Sequence, residues 1–261
     1  MIDVSQFSLE GQVALVTGGS RGIGEATAIT FAKAGADVAI SSRKLPDLEK
    51  VAAEIRKLGR KSLAVEAHIG RMEMLQPLVD RVVAEFGRID ILVNNAGTNF
   101  FSPAIEMTEK SWDTVMNLDL KGLFFLSQAV AKQMIKQGGG KIINIASISG
   151  FKVQVPTGHY SIAKAGVIMA TRVMALEWAK YNIRANCIAP GAIETKLYDS
   201  IFSIMPADQK KAAKENAAAR IPMGRAGEPS EIANALLFLA SNASSYVTGQ
   251  AFLVDGGSNL L

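Results

Sequence analysis

The chain is poor in cysteine, in long apolar runs and in concentrated charge. Its 261 residues include one cysteine, Cys187. A single thiol excludes an intrachain disulfide and fits a reducing compartment. With no base near it in sequence, Cys187 is expected to be a small buried side chain and not a nucleophile. No apolar stretch approaches the ~20 residues that cross a bilayer. Residues 1–10 have neither a basic n-region nor an apolar h-region, so no secretory signal is expected. The ending Ser258-Asn259-Leu260-Leu261 is not the usual peroxisomal tripeptide. These absences point to a cytoplasmic protein without a membrane partner. The formal net charge is +4, enough to help attract an anionic cofactor. No dense basic run argues for nucleic acid, and no metal is expected.

What is present is a regular alternation. With 49% hydrophobic and 20% charged residues, the composition suits one globular domain over 1–261. Short β-branched runs at 13–17, 38–41, 62–66, 89–93, 141–146, 184–188 and 251–254 read as strands. Segments with helical spacing at 22–34, 45–58, 72–86, 112–135, 160–181 and 229–239 lie between them. Strands that alternate with helices make parallel sheets through right-handed crossovers. Several strands are apolar on both faces, as helices on both sides require. The fold class is therefore α/β, a Rossmann-type doubly wound parallel sheet with helices on both faces. The longest interval without a strand signal, 192–222, includes an Ala- and Lys-rich surface helix at 206–219.

After the first strand comes Thr17-Gly18-Gly19-Ser20-Arg21-Gly22-Ile23-Gly24. A glycine-rich turn from strand to helix lets backbone approach a pyrophosphate at the positive helix N-terminus. Such a turn also occurs as a plain tight turn, but its place at the first strand–helix junction favours a dinucleotide. The second strand ends Ser41-Ser42-Arg43-Lys44, without the acid that would hold an NAD ribose and repel a 2′-phosphate. Arg43 offers a guanidinium fork to that phosphate, and Arg21 can reach it from the other side. Otherwise Arg43 and Lys44 are solvated charges opening a helix. The cofactor expected is NADP(H).

Ser147 follows a strand, Tyr160 comes thirteen positions later, and Lys164 shares a helix face with Tyr160 at i and i+4. A tyrosine hydroxyl has an ordinary pKa of ~10. A neighbouring ammonium is expected to move it down, so that Tyr160 protonates a nascent alkoxide or deprotonates an alcohol. Ser147 can stabilise charge on the substrate oxygen. Taken alone, Tyr-x-x-x-Lys is an ordinary helix face.

Taken together, these motifs resemble the short-chain dehydrogenase/reductase family over essentially the whole chain. The resemblance rests on Thr17–Gly24, Asn94-Asn95-Ala96-Gly97, Asn117, Ser147, Tyr160, Lys164 and Pro190-Gly191-Ala192-Ile193-Glu194-Thr195. It implies a seven-stranded parallel sheet and a substrate lid around 192–222. It also implies a homotetramer through the two long helices and the last strand, whose apolar Phe124, Phe125, Val167, Met169, Val173 and Met174 exceed one sheet-facing stripe. Asn117, Ser147, Tyr160 and Lys164 are implied as a catalytic tetrad, Lys164 also binding ribose and Asn117 holding a relay water. Gly18, Ser20, Arg21, Gly22, Ile23, Gly24, Ser42 and Arg43 are implied as cofactor contacts. So are His68, Ile69, Asn95, Ala96, Gly97, Pro190, Gly191, Ile193 and Thr195.

There are departures from the family pattern. His68-Ile69-Gly70 stands where the family usually has an adenine-binding Asp. His68 is expected to accept through a neutral ring nitrogen, and the Ile69 backbone to hold adenine. His159 is expected to take no part in catalysis. Gly138 and Tyr181 occupy positions where carrier-protein-linked 3-oxoacyl reductases carry basic residues, which weakens that activity as an assignment. Ser41–Lys44 and His68–Gly70 resemble NADPH-dependent carbonyl reductases. Phe100, Phe101, Phe151, Leu197, Tyr198, Ile201, Phe202, Ile204 and Met205 are expected to wall an apolar substrate pocket. The alternatives are a 3-oxoacyl-thioester reductase, an NAD-linked alcohol or sugar dehydrogenase, and a non-enzymatic NADP-binding regulator, against which the intact tetrad argues.

Overall fold

The structure is a computed structural model that describes residues 4–202 and 206–261. Seven strands form one sheet: β1 (Val13–Thr17), β2 (Asp37–Ser42), β3 (Ser62–Glu66), β4 (Ile91–Asn94), β5 (Gly140–Ile145), β6 (Ile183–Pro190) and β7 (Ala251–Val254). Their order is β3-β2-β1-β4-β5-β6-β7, and every neighbouring pair is parallel. The chain winds outward from β1 to β3, returns to the centre and winds outward again from β4. The reversal between β1 and β4 opens a crevice at the carboxyl ends of these two strands.

Strand β1 is buried along its whole length, and its residues alternate between two cores. Val13 and Leu15 pack with α3 (Leu75–Phe86), α5 (Leu123–Lys136) and α6 (Gly158–Trp178). Ala14 and Val16 pack with α1 (Gly22–Lys33), α2 (Leu45–Lys57) and α9 (Pro229–Ala240). Each large apolar side chain so enclosed contributes about 1.5–3 kcal/mol. A continuous apolar strand is thus the local consequence of a sheet covered on both faces.

Two departures from the sequence reading bear on the site. The helix expected over 112–135 is α4 (Glu109–Met116), a π-helical segment Asn117–Gly122, and then α5. Gly122 belongs to this wide turn for a steric reason: a Cβ there would lie 2.1 Å from the Ile69 carbonyl oxygen. The interval 192–222 holds two helices, α7 (Lys196–Ile201) and α8 (Ala207–Ala219). Among the described residues, no helix is long and apolar enough to cross a membrane.

Candidate active site

The glycine loop sits at the crevice. A Cβ at Gly24 would lie 2.3 Å from the Gly18 carbonyl oxygen, so the strand-to-helix turn closes this tightly only with glycine there. Gly22 has φ +58°, the left-handed region where other residues are strained, and its open side faces the Thr195 methyl group. The second loop is tied to the first. Asn95 Nδ2 donates to the carbonyls of Thr17 (2.8 Å) and Gly18 (3.2 Å). The Thr17 hydroxyl accepts from the N–H groups of Asn95 (3.0 Å) and Ala96 (3.1 Å). Beneath them, Asn94 Nδ2 donates to Ser127 Oγ and to Asn144 Oδ1, both at 2.8 Å, which braces β4 to α5 and β5. Thr195 caps α7, and Ile193 pairs with Gly227 behind it. Gly18, Gly22, Asn95, Ala96 and Thr195 therefore converge around the uncapped N-terminus of α1. A backbone cradle at a helix N-terminus fits the pyrophosphate of a dinucleotide.

At the other end of the cradle, Arg21 and Arg43 are exposed, and Ser42 ends β2 opposite Glu66 of β3. Burial lowers the pKa of His68, and the charges of Arg43 and Arg71 lower it further. His68 is thus held neutral, with Arg43 close enough to act on it. Its Nδ1 accepts the N–H of Gly70 at 3.1 Å, which leaves the ring proton on Nε2. This corrects the expectation for His68: the occupied Nδ1 makes its outward edge a donor and not an acceptor. Ile69 is buried, with its carbonyl against Gly122.

The residues expected to handle the proton come from separate elements. Tyr160 and Lys164 lie on the first turns of α6, with Lys164 Nζ 5.3 Å from the Tyr160 ring centre. Ser147 follows β5 and caps the short turn Ile148–Gly150, and it acts to lower the Tyr160 pKa. The N–H of Ser149 donates to Ser147 Oγ at 3.1 Å, and Ser149 Oγ donates to Gln154 at 3.0 Å. Lys164 Nζ donates to the Ile145 carbonyl at 3.0 Å. Burial pushes the Tyr160 hydroxyl above its ordinary range; Lys164 pulls it down, a nearby carboxylate pushes it up, and Ser147 pulls it down. The downward shift expected from Lys164 is outweighed by burial in the free protein.

That carboxylate belongs to Asp119, which the sequence reading missed. Asp119 Oδ2 lies 3.1 Å from Lys164 Nζ, and both side chains are buried. Its Oδ1 accepts the N–H of Thr98 at 2.9 Å. Burial raises the Asp119 pKa against the pull of Lys164. Burial also opposes the Lys164 ammonium, but Asp119 and Tyr160 more than offset this and hold its pKa above the ordinary value. Asn117, two residues earlier, lines an open cavity of about 510 Å³ with His68, Gly70 and Thr114. Asn117 and Asp119 thus share one π-helical segment, and Asp119 is the side chain of that segment in direct contact with Lys164. A lone acid between Leu118 and Leu120 was the available signal.

The apolar residues divide. Tyr198 and Phe202 are buried, ring against ring at 5.3 Å, within a small core against Ala213, Ala217 and Ala226. They hold α7 to α8. Phe100, Phe101, Phe151, Leu197 and Ile201 remain exposed, while Ile204 and Met205 lie outside the described residues. Cys187 is fully buried, and burial pushes its thiol up to about 11, as an inert side chain requires. Among the described residues, no cluster of His, Cys, Asp and Glu could hold a metal ion.

A doubly wound sheet with a glycine-rich turn at its switch point and a Tyr–Lys pair beside it is the arrangement of the dinucleotide-dependent oxidoreductases. Residues 18–259 match the family model described as enoyl-(acyl carrier protein) reductase. The chain is 45% identical to 2-dehydro-3-deoxy-D-gluconate 5-dehydrogenase of Escherichia coli strain K12, over 97% of this chain and 98% of that one. It is 41% identical to the 3-oxoacyl-(acyl-carrier-protein) reductase of Thermotoga maritima, over 95% and 98%. Among solved structures, a gluconate 5-dehydrogenase from Burkholderia cenocepacia in complex with NADP and tartrate superposes with a TM-score of 0.91 at 36% identity, over 98% of each chain. The chain belongs to the short-chain dehydrogenase/reductase family. It is an oxidoreductase acting on CH–OH groups.

Proposed function

We propose that the protein moves a hydride between NADP(H) and a secondary alcohol or ketone, with Tyr160 transferring the proton. The observation that carries this is the buried Lys164 ammonium set 5.3 Å from the Tyr160 ring centre, one helical turn along α6. The nicotinamide, when bound, supplies or accepts the hydride. Tyr160 gives its hydroxyl proton to the substrate oxygen in reduction and takes it back in oxidation. Ser147 holds that oxygen by a hydrogen bond as negative charge develops on it. Lys164 holds the ribose hydroxyls and steadies the phenolic proton. Gly18, Ser20, Gly22, Ile23 and Gly24 seat the pyrophosphate, while Asn95, Ala96 and Gly97 line the floor. Pro190, Gly191, Ile193 and Thr195 flank the carboxamide end. Ser42, Arg21 and Arg43 receive the 2′-phosphate.

Two substrate classes are in view. Exposed Phe100, Phe101, Phe151, Leu197 and Ile201 support a hydrophobic ketone or aldehyde. The polar chain Ser147–Ser149–Gln154 supports a polyhydroxy substrate, which agrees with the gluconate-type relatives. The second is favoured, because Tyr198 and Phe202 are enclosed within the α7–α8 pair that we assign as the lid. Mixing the enzyme and NADPH with keto sugar acids, aromatic ketones and 3-oxoacyl thioesters, and following nicotinamide absorbance, ranks the classes by kcat/KM. A higher value for aromatic ketones than for keto sugar acids reverses the preference.

We also assign a homo-oligomer, with a cytoplasmic location. Val167 and Met174 are core residues and Phe124 packs against the core, but Phe125, Ile162, Met169, Val173 and Leu176 leave an exposed apolar face on α5 and α6. Apolar surface gathered in this way marks a contact between chains. Light scattering at micromolar concentration is expected to give a multiple of the 27.8 kDa chain mass, and a monomer mass refutes the assignment.

A further inference from the structure

Asp119 is a charge that a Tyr–Lys proton transfer does not by itself require. It lies in the π-helical segment, fully buried, between Leu118 and Leu120, which pack against the core. A carboxylate in such a place is retained only with partners. It has two: the Thr98 N–H on Oδ1 and the Lys164 ammonium on Oδ2. The Lys164 charge that faces Tyr160 is therefore not a bare one. Whichever of the two residues carries the proton, the Asp119–Lys164 pair is net neutral.

The other groups around Tyr160 leave that balance unchanged. Ser147, from the loop after β5, is uncharged and donates its hydroxyl hydrogen bond to Ser149 Oγ. His159, adjacent on α6, is fully buried with no hydrogen-bond partner for either ring nitrogen; burial lowers its pKa, and the Asp119 carboxylate opposes this. Cys187 of β6, which faces Lys164, is held as the thiol. No further charge from α6, the π-helical segment, β5 or β6 acts on the Tyr160 hydroxyl among the described residues.

We propose that Asp119 is a positioning residue that cancels the Lys164 charge felt by Tyr160, so that Tyr160 stays a neutral proton donor and alcohol oxidation is displaced to alkaline pH. Carbonyl reduction needs the protonated hydroxyl and proceeds at neutral pH. Oxidation needs the phenolate and gains as pH rises through the Tyr160 pKa. The proposal rests on the assignment of Tyr160 as the proton-transferring group.

The test is Asp119→Asn, which keeps the shape and removes the charge. Uncovering an opposite charge lowers a neighbouring acid by about 1–3 units, so the midpoint of the oxidative kcat/KM profile is expected to move to lower pH by about one unit or more. In the cofactor-free protein, phenolate absorbance measured as a difference from Tyr160→Phe is expected to shift in the same direction. An unmoved or alkaline-shifted midpoint in a folded Asp119→Asn protein overturns the proposal. Asp119→Ser, which is smaller and also uncharged, must give the same acid shift. The wild-type phenolate titration needs no Asp119 variant: a Tyr160 midpoint well below the ordinary ~10 overturns the proposal outright. Tyr160→Phe separates the two levels. If it retains turnover, the assignment of Tyr160 fails; if it is inactive and Asp119→Asn shows no shift, only the role of Asp119 fails.

Discussion

The two ends of the cradle recognise charge in opposite ways. At the catalytic end, Lys164 and Asp119 are enclosed, and each has a second partner in the Ile145 carbonyl and the Thr98 N–H. At the other end, which we assign to adenine and its ribose, Arg21 and Arg43 stand in solvent. Between exposed charges, physiological salt screens beyond about 8 Å, whereas a buried pair is screened far less. The enclosed end can therefore hold one proton arrangement against changes in medium. On the proposed assignment, the exposed end would make weaker, salt-sensitive contacts to a 2′-phosphate.

The largest effect expected from this contrast is at the enclosed end. Tyr160→Phe removes one hydroxyl and should lower turnover by about 10²–10⁴-fold, the range of general acid–base catalysis. Cofactor binding and thermal unfolding should be unchanged, and the deficit should be the same at low and high salt. A salt-dependent deficit would break the comparison.

A smaller effect is expected at the exposed end. Ser42→Asp with Arg43→Leu replaces a donor and a cation by an anion where the 2′-phosphate is assigned. A charge-assisted hydrogen bond contributes about 1.5–3 kcal/mol, or about ten- to more than a hundredfold in affinity. The NADPH-to-NADH ratio of kcat/KM should fall by that factor in the variant. In the wild type the ratio should exceed one and shrink as salt is raised. A wild-type ratio below one would show that the corner does not accept the phosphate.

The smallest effect is expected where charges are exposed and no cofactor is near. Lys214 of α8 bridges Glu194 and Asp199, both at 2.8 Å, and holds α8 to the start of α7. Hydrogen bonds to these two carboxylates raise its pKa above the ordinary lysine value. Any stability it adds is therefore fully present below that ordinary value and lost only as pH rises through the raised one. Lys214→Ala should cost less than about 1 kcal/mol, since exposed pairs are screened and hold two long side chains in place. Differential scanning calorimetry at neutral pH should show a small change in Tm, whereas a collapse would show that the α7–α8 pair depends on this bridge.

The features legible in the sequence are those whose meaning is local. Gly18 to Gly24 form one turn, and their spacing alone implies close backbone approach. Tyr160 and Lys164 are one helical turn apart, so their common face follows from helix geometry. The two apolar sides of β1 announced helices on both faces of the sheet. Asp119 was not legible, because counting along an α-helix presumes bonds from i to i+4. A π-helical turn uses i to i+5 and rotates everything after it. Tyr198 and Phe202 looked like pocket walls because an exposed aromatic and a buried one are identical in sequence. Their partners, Ala213, Ala217 and Ala226, arrive from beyond α7.

Sequence by itself determined the alternation of strands and helices, the glycine turn after β1 and the common face of Tyr160 and Lys164, since each depends on residues near one another in the chain. Tertiary structure alone decided that Lys164 meets a carboxylate, that His68 presents a donor edge, and that α7 and α8 share a core. Those outcomes depend on contacts between segments far apart in the chain, such as Asp119 with Lys164 and Tyr198 with Ala226. Such contacts are set by how the helices pack on the finished sheet, and no local spacing encodes them.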